Sequence, residues 1–594
     1  MSLYELLIIM AYLSVTACLG FLGYKQTRTR LDYIIAGRNT HPFIMALSYG
    51  ATFISTSAIV GFGGVAGLFG MGLMWLVFLN LAVGILIAFI FIGEPTRRLG
   101  HRLDAHTFPE LLGRRFDSRF IQIFCGAIIF LFMPLYATAV LLGGAEFVQI
   151  LFQLDNFNVA LLILALVVVI YVLGGGLKAV MYTDAFQGGI MMLSMIFLLF
   201  MTYSRLGGVT AAHSHLTSLA PLVPSSLQAI GHKGWTCFPD YGWGDAKFNL
   251  WWIMVSTITL GVGIGVLAQP QMAVRYMTVK SNREIKRGVG LGAVFILLLT
   301  GIPYTVGALS NAYFHDQEEI RGYVLNKDEI QPYLGQEPPQ GMVIRILPEG
   351  GTSEIRIPLG KETSITLGDS GTPDRIRPRL ISAQRTGGAR DQIIPTFIDS
   401  AMPRWFGVLF LLCLLSAAMS TLSSQMHTMG TAAGRDIFEQ ILPDYSPTDR
   451  QTVLVTRIGI IIGLVISLFL AAKSLRGYIA VSTALFYGLC ASSFLPAFIG
   501  ALFWKRMTRA GAIASMMGGF CVSLFWMLFF FEQTARAIGL CQMLTGQAVL
   551  WPDPNWPVVD PLLISLPISC LLAAGVSLMT HPPGREHLEK CFGA

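Results

Sequence analysis

The sequence predicts an all-α polytopic membrane protein with thirteen transmembrane helices, and three observations predict it. Of its 594 residues, 54% are hydrophobic and 13% charged, against about 25% charged in an ordinary soluble domain. Apolar stretches of about 20 residues, each long enough to cross roughly 30 Å of hydrocarbon, recur along the whole chain. Lys and Arg gather in alternate short loops, which is how a membrane protein records its topology. The basic excess is therefore a topology signal and not a nucleic-acid footprint. The expected surroundings are a lipid bilayer with no nucleic acid partner, and the expected location is the cell membrane, multi-pass.

The predicted spans cover residues 3–23, 43–70, 73–93, 119–151, 157–174, 180–203, 249–274, 289–314, 403–431, 451–472, 477–503, 510–531 and 558–580. The first has the apolar length of a signal peptide, and Val15-Thr16-Ala17-Cys18 resembles a lipoprotein cleavage box. No basic residue precedes it, however, and Lys25, Arg28 and Arg30 follow directly. That polarity predicts a retained span with its N-terminus outside. Loops 24–42, 94–118, 275–288 and 503–509 are rich in Lys and Arg, while 152–156 and 532–557 are nearly free of them. The N-terminus is thus expected outside and the C-terminus inside.

Residues 315–395 break the apolar pattern. The alternation in MVIRILPEGGTSEIRIPL (342–359), with Pro348-Glu349-Gly350-Gly351 at its centre, predicts a hairpin within a small β-rich extracytoplasmic insert. A disordered loop is the alternative. Its arginines do not count against an external position, because long domains translocate largely regardless of charge. The nine cysteines show no metal-binding spacing. Cys237 and Cys541 fall in loops predicted to be external, either as a disulfide or as two free thiols.

Two spans point to function. Span two, ALSYGATFISTSAIVGFGGVAGLFG, carries Gly61, Gly63, Gly64 and Gly67. Span seven, VSTITLGVGIGVLAQPQMAVRYM, carries Gly261, Gly263 and Gly265 ahead of Pro270. Glycine weakens a helix and Pro removes a donor. Unwound backbone at membrane depth survives only where protein or a water-filled cavity satisfies it. Each of these spans opens a group of five, and the odd number of spans between the two starts inverts the halves. Interrupted helices at matching positions of two repeats mark a transporter's binding site. Glycine for close helix packing is the plainer reading. The expected organisation is an accessory helix in 1–24, a first repeat in 43–203, an external loop in 204–248, a second repeat in 249–503 interrupted by the insert, and two accessory helices with a tail in 504–594.

Span nine contains SAAMSTLSSQMH, with four serines and a threonine and no acid. Such hydroxyls often bond back to carbonyls one turn earlier or let helices approach. They can also act as neutral oxygen ligands, supplemented by free carbonyls of an unwound helix, for a hard cation.

LSAAMSTLSS followed by GRDIF, AGRNTHP before span two, ATFIS within it, GGGLKAVMYTDAFQG at 174–188 and AQPQMAVR at 268–275 together resemble the sodium:solute symporter family. The resemblance implies the leucine-transporter-like fold of five plus five inverted helices. By motif match it also implies a sodium site formed by the carbonyls of Ala51, Ile54 and Ala417 and the side chains of Ser420 and Thr421. Ser416, Ser423 and Ser424 then fall back to packing, and His427 stays unassigned. Asp184, in the TD pair of span six, corresponds to an acid near the family's inward sodium path. As a plain residue it reads equally as an interfacial surface Asp.

The same resemblance places the solute between the two interrupted spans, near Ser55, Ala58, Asn80, Gln269 and Pro270. Asn80 and Gln269 read either as solute contacts or as satisfied interhelical amides. Where the family's sugar transporters have Gln and Glu, this chain has Ala58 and Val77, which argues against a sugar. Where aromatic gates are expected in span seven it has Val262 and Val266, which predicts an open, smooth cavity. The expected function is sodium-coupled symport of a small organic solute that bears a carboxylate (a monocarboxylate, a pantothenate-like acid or an amino acid). The partners are that solute and Na+, and Na+ is the coupling ion with no further cofactor. The alternative is a transporter-like membrane sensor, which an appended cytoplasmic signalling domain would reveal; the tail HPPGREHLEKCFGA is too short for one. With charges scarce in the spans and neither paired acids nor HExxH present, an enzyme is not expected.

Overall fold

The computed structural model describes residues 3–152, 154–242, 249–316, 320–333, 343–348, 354–358, 364–367, 373–377, 381–386, 388–441, 447–473 and 479–593. Among them, eleven helices are long and apolar enough to cross a membrane. In the numbering of the predicted spans they are span one (Tyr4–Gln26), three (Met71–Arg102), four (Arg119–Glu146), six (Gly175–Arg205), seven (Leu250–Met277), eight (Asn282–His315), nine (Arg404–Ile441), ten (Asp449–Ala472), eleven (Ile479–Phe503), twelve (Arg509–Phe529) and thirteen (Leu562–Met579). Span two is a bent pair, Pro42–Phe53 and Ser57–Phe69, with 52° between its halves. Counted as one, it brings the total to twelve. The fifth predicted span is a shorter apolar helix, Phe157–Ile170. It belongs to the helical stretch Phe157–Arg205, which is broken at Gly176. There φ is +59°, and a Cβ would lie 2.6 Å from the Tyr33 carbonyl oxygen, so only glycine fits.

Burial separates an inner bundle from an outer ring. In span nine 83% of the most apolar window is buried and in span eleven 89%, against 28% in spans one and thirteen. The outer helices turn large apolar side chains outward, among them Phe21, Phe200, Phe469 and Leu571. A water-soluble protein would have to cover such faces, whereas hydrocarbon covers them without cost.

The break in span two follows from its local sequence. His41 caps the first half by accepting from the Phe43 N–H, and Pro42 occupies the first turn, where its missing donor is harmless. The half ends at Ile54, whose ψ of 105° is extended. Ser55 then starts the second half, its carbonyl accepting from the N–H groups of Ala58 (3.0 Å) and Ile59 (3.3 Å). A run of β-branched and hydroxyl residues, Ile-Ser-Thr-Ser, favours such an interruption because its side chains compete for backbone partners.

The glycines, expected to unwind spans two and seven, do something else. Gly61, Gly63, Gly64 and Gly67 all lie after the break in helical conformation. A Cβ on Gly64 would meet the Arg390 carbonyl oxygen at 2.1 Å, and one on Gly307 of span eight would meet that of Gly63 at 1.9 Å. Gly261, Gly263 and Gly265 are helical as well, and a Cβ on Gly265 would press on Tyr487 at 2.6 Å. They allow close helix packing. The interruption of span seven sits further on, at Gln269, with ψ of 116°, just before Pro270.

Five strands follow span eight: β1 Ile320–Val324, β2 Val343–Pro348, β3 Ile355–Pro358, β4 Ser364–Leu367 and β5 Pro373–Arg377. They form one antiparallel sheet of order β3-β2-β1-β5-β4. Strands β2 and β3 pair from Val343↔Pro358 to Ile346↔Ile355 across the predicted hairpin. Of its turn, Glu349, Gly350 and Gly351 lie outside the described residues. Cys237 and Cys541 are unpaired.

The loop after span six packs onto span eight. Its helix Val209–Ser218 buries Ala212 and Leu216 against Ala308, Leu309 and Ala312. The buried Trp235 donates its indole N–H to the Gly67 carbonyl at 3.0 Å, capping the end of span two.

Candidate cation and solute site

Span nine crosses the break of span two, so its hydroxyls face the carbonyls that the interrupted helix leaves over. Ser420 Oγ donates to the Ala51 carbonyl at 2.8 Å and lies 3.3 Å from that of Ala417. Thr421 Oγ1 stands 3.5 Å from the Ala51, 3.3 Å from the Thr52 and 3.5 Å from the Ile54 carbonyl oxygens. The structure therefore brings Ala51, Ile54, Ala417, Ser420 and Thr421 into one cluster of neutral oxygens. All five are buried. The three long contacts of Thr421 are weak as hydrogen bonds. The same oxygens can turn their lone pairs inward on a small cation, with no carboxylate to be protonated.

Asp184 is fully buried, so it is not a surface residue. Its Oδ2 lies 3.0 Å from Arg275 Nη2, 2.8 Å from Ser48 Oγ and 3.3 Å from Thr52 Oγ1. Arg275 also donates to Ser48 (3.0 Å), the Gln271 carbonyl (2.5 Å), Ser424 (2.6 Å) and Thr52. A buried ion pair stands only if its remaining donors and lone pairs are satisfied, and here hydroxyls do that. Ser423 and Ser424, expected to pack only, belong to this network: Ser423 donates toward Asp184 Oδ1 at 3.4 Å. Thr52 joins the two layers, with its carbonyl facing Thr421 and its hydroxyl holding the pair. Ser416 donates to the Tyr12 hydroxyl at 3.1 Å, and His427 bonds the Tyr33 carbonyl at 2.9 Å.

Beyond the break lies a cavity of about 20 Å³, lined by Phe53, Ile54, Ser55, Ala58, Phe62, Asn80, Tyr136, Val262, Thr300, Tyr304, Thr483 and Tyr487. It has room for about one water, which needs on the order of 10–15 Å³. Ser55, Ala58 and Asn80 are on its wall. Gln269 and Pro270 are not, since the Gln269 amide donates to its own helix at the Gly265 carbonyl (3.2 Å) and accepts from Gln271 (3.2 Å). The expected open, smooth cavity is not found either. Val262 does line it, but rings from spans two, four, eight and eleven close it, with the Tyr136 and Tyr487 hydroxyls 3.4 Å apart.

Arg275 and the aromatic wall are not among the residues expected from the sequence. Arg275 carried a signal, because an ionisable residue inside an apolar span marks a functional position by default. The wall did not, since a lone Tyr in an apolar span gives no sign of which way it faces.

The pattern of the sodium:solute symporter family matches residues 33–331 and 375–519. The chain belongs to that family. The unmatched stretch lies within the polar insert, so the symporter body continues on either side of it. Among curated relatives, the high-affinity proline transporter PutP of Bacillus subtilis is 25% identical over 517 residues, 86% of this chain and 89% of that one. A sodium/proline symporter of Staphylococcus aureus is 25% identical over 532 residues, 88% of this chain and 85% of its own. The substrate-bound, outward-open structure of a Na+-coupled sialic acid symporter shares the fold, with a TM-score of 0.67 over 98% of both chains at 17% identity. This symporter is thus a multi-pass cell-membrane protein that couples a solute to Na+, and it is not an enzyme.

Proposed function

We propose that this symporter carries a small amino-acid-like zwitterion, one carboxylate and one N–H donor, by alternating access. The observation that carries the reading is Asn80. Its Oδ1 is buried at the cavity wall and has no hydrogen-bond partner among the described residues. A buried acceptor left unpaired costs roughly 1–3 kcal/mol, and a solute N–H would relieve it. The second half of span two begins at the same cavity, and a helix N-terminus favours an anion such as a carboxylate. Proline symporters among the relatives support the same class.

In this reading Ala51, Ile54, Ala417, Ser420 and Thr421 hold Na+, and Asp184 lies on its inward path. The Asp184–Arg275 pair closes that path, because a guanidinium beside the site repels a cation unless its carboxylate partner stays in place. The contracted cavity is an occluded form, which enlarges as the aromatic wall parts. Thirteen spans, an external N-terminus, a cytoplasmic C-terminus, two inverted five-helix repeats and an external insert complete the proposal, supported by the basic loops and the matched breaks.

The test is uptake by proteoliposomes of labelled amino acids and monocarboxylates, with and without an inward Na+ gradient. An amino acid should accumulate with Na+, and Asn80→Ala should raise its KM about tenfold, which is ~1.4 kcal/mol. Accumulation of monocarboxylates alone, or an unchanged KM in Asn80→Ala, would overturn the zwitterion reading.

A further inference from the structure

Away from the transport path, two imidazoles and a carboxylate converge at the end of span eight. His215 sits in the helix Val209–Ser218, His315 is the last residue of span eight, and Asp316 follows it. His215 Nε2 and His315 Nδ1 are 3.3 Å apart although their residues are separated by 100 positions. His215 Nδ1 lies 3.3 Å from Asp316 Oδ2, and His315 Nδ1 lies 3.7 Å from Asp316 Oδ1. One ligand atom from each residue falls within 4.8 Å of the others. We propose that His215, His315 and Asp316 form a binding site for a divalent transition-metal ion of the zinc type.

The spacing is that of ligands. With Zn–N bonds of about 2.0–2.1 Å, two nitrogens on a tetrahedral edge stand roughly 3.3–3.4 Å apart. The two rings meet that distance without moving. The donor set is selective: imidazole suits zinc, copper or nickel, whereas magnesium and calcium favour oxygen. Three protein ligands leave a fourth position to water. The platform is firm, because His215 stands on the helix whose Ala212 and Leu216 are buried against Ala308, Leu309 and Ala312 of span eight. Entry is open on one side. The side chains of His315 and His215 are 12% and 25% exposed, while Asp316, at 62%, is free to swing onto an arriving ion.

The site has a route to transport. The segment that begins at this helix carries His232 and Trp235, which bond the Leu68 and Gly67 carbonyls at the end of span two. A metal ion joining His215 to His315 would pin that segment to span eight and hinder the parting of span two from its cap. Bound metal should therefore slow transport. Its position outside the cell rests on the topology proposed above, but the binding itself does not.

The competing occupant is a proton shared between the rings. Purified full-length protein in detergent micelles, titrated with Zn2+, decides between them. One Zn2+ per chain is expected, with affinity falling at least tenfold in His215→Gln and in His315→Gln. In proteoliposomes, Zn2+ added outside should inhibit Na+-driven uptake in the native protein and not in these variants, which keep their uptake in its absence. Equal Zn2+ binding by the native protein and the His215→Gln/His315→Gln double variant would overturn the site. Should the variants fail to fold, Cu2+ bound to the native protein serves instead: an electron paramagnetic resonance spectrum without coupling to two imidazole nitrogens overturns it equally. Binding without inhibition keeps the site and overturns its coupling to transport.

Discussion

The breaks in spans two and seven both turn on a residue in extended conformation, Ile54 in one and Gln269 in the other. Their chemistry differs. At Ile54 the carbonyls of Ala51, Thr52 and Ile54 are met by hydroxyls of another helix, and the side chains beyond them line a cavity. At Gln269 the broken segment satisfies itself. The Gln269 carbonyl accepts from the N–H groups of Met272 and Ala273 at 3.0 and 3.1 Å, and its amide turns back to Gly265. The two broken helices therefore differ: one turns its carbonyls to the hydroxyls of another helix, while the other behaves as a self-contained joint. The joint still contributes one group across the divide. Arg275, two turns past it, reaches Asp184 and the hydroxyls beside span two.

The largest effect should come from severing that reach. Arg275→Ala leaves Asp184 buried without its partner, a loss of about 3–5 kcal/mol in such pairs. Thermal unfolding in detergent should show a clear drop, and uptake should vanish. Asp184→Leu/Arg275→Met, which replaces both charges with apolar groups, should recover much of the stability but not the Na+-driven uptake. If Arg275→Ala melts like the native protein, the two halves are not linked through this pair.

The next effect lies wholly on the span-two side. Ser420→Ala and Thr421→Ala each delete one oxygen from the cluster at the break. Each should raise the Na+ concentration for half-maximal uptake roughly tenfold or more, since ~1.4 kcal/mol is a factor of ten. The solute KM at saturating Na+ should change less. Na+ stimulation equal to that of the native protein in both variants would remove the cation from this break.

The contrast between the breaks also shows what the sequence could convey. Long apolar segments, basic loops and hydroxyls without acids are local patterns, and the membrane-spanning segments and the hydroxyl run of span nine were legible from them. That Ala51, Ile54, Ala417, Ser420 and Thr421 meet followed from motif resemblance, because contacts 367–370 residues apart leave no local trace. The glycine runs pointed to the right helices for the wrong reason. Breaks occur where side chains compete with the backbone, at Ile54-Ser55, or where a Pro follows, at Gln269, while the glycines allow neighbours such as Arg390 and Tyr487 to approach. The partner of Asp184 and the rings around the cavity depend on which face of each helix turns inward, and a helix apolar on all sides does not encode that.

The smallest effect tests the self-contained joint. Gln269→Leu removes an amide of similar size from a buried position. It leaves Gln271 without its acceptor at 3.2 Å, a cost of about 1–3 kcal/mol when nothing replaces it. Stability should fall by that order. The solute KM and the Na+ dependence should both stay within about threefold of native, a change of less than ~0.7 kcal/mol, because the amide faces its own helix and not the cavity. Asn80→Ala is the matched control, since it alters an amide that does face the cavity. A tenfold rise in KM for Gln269→Leu, equal to that for Asn80→Ala, would mean that the joint opens onto the solute during the cycle, and the two breaks would then be alike in chemistry as well as in backbone conformation.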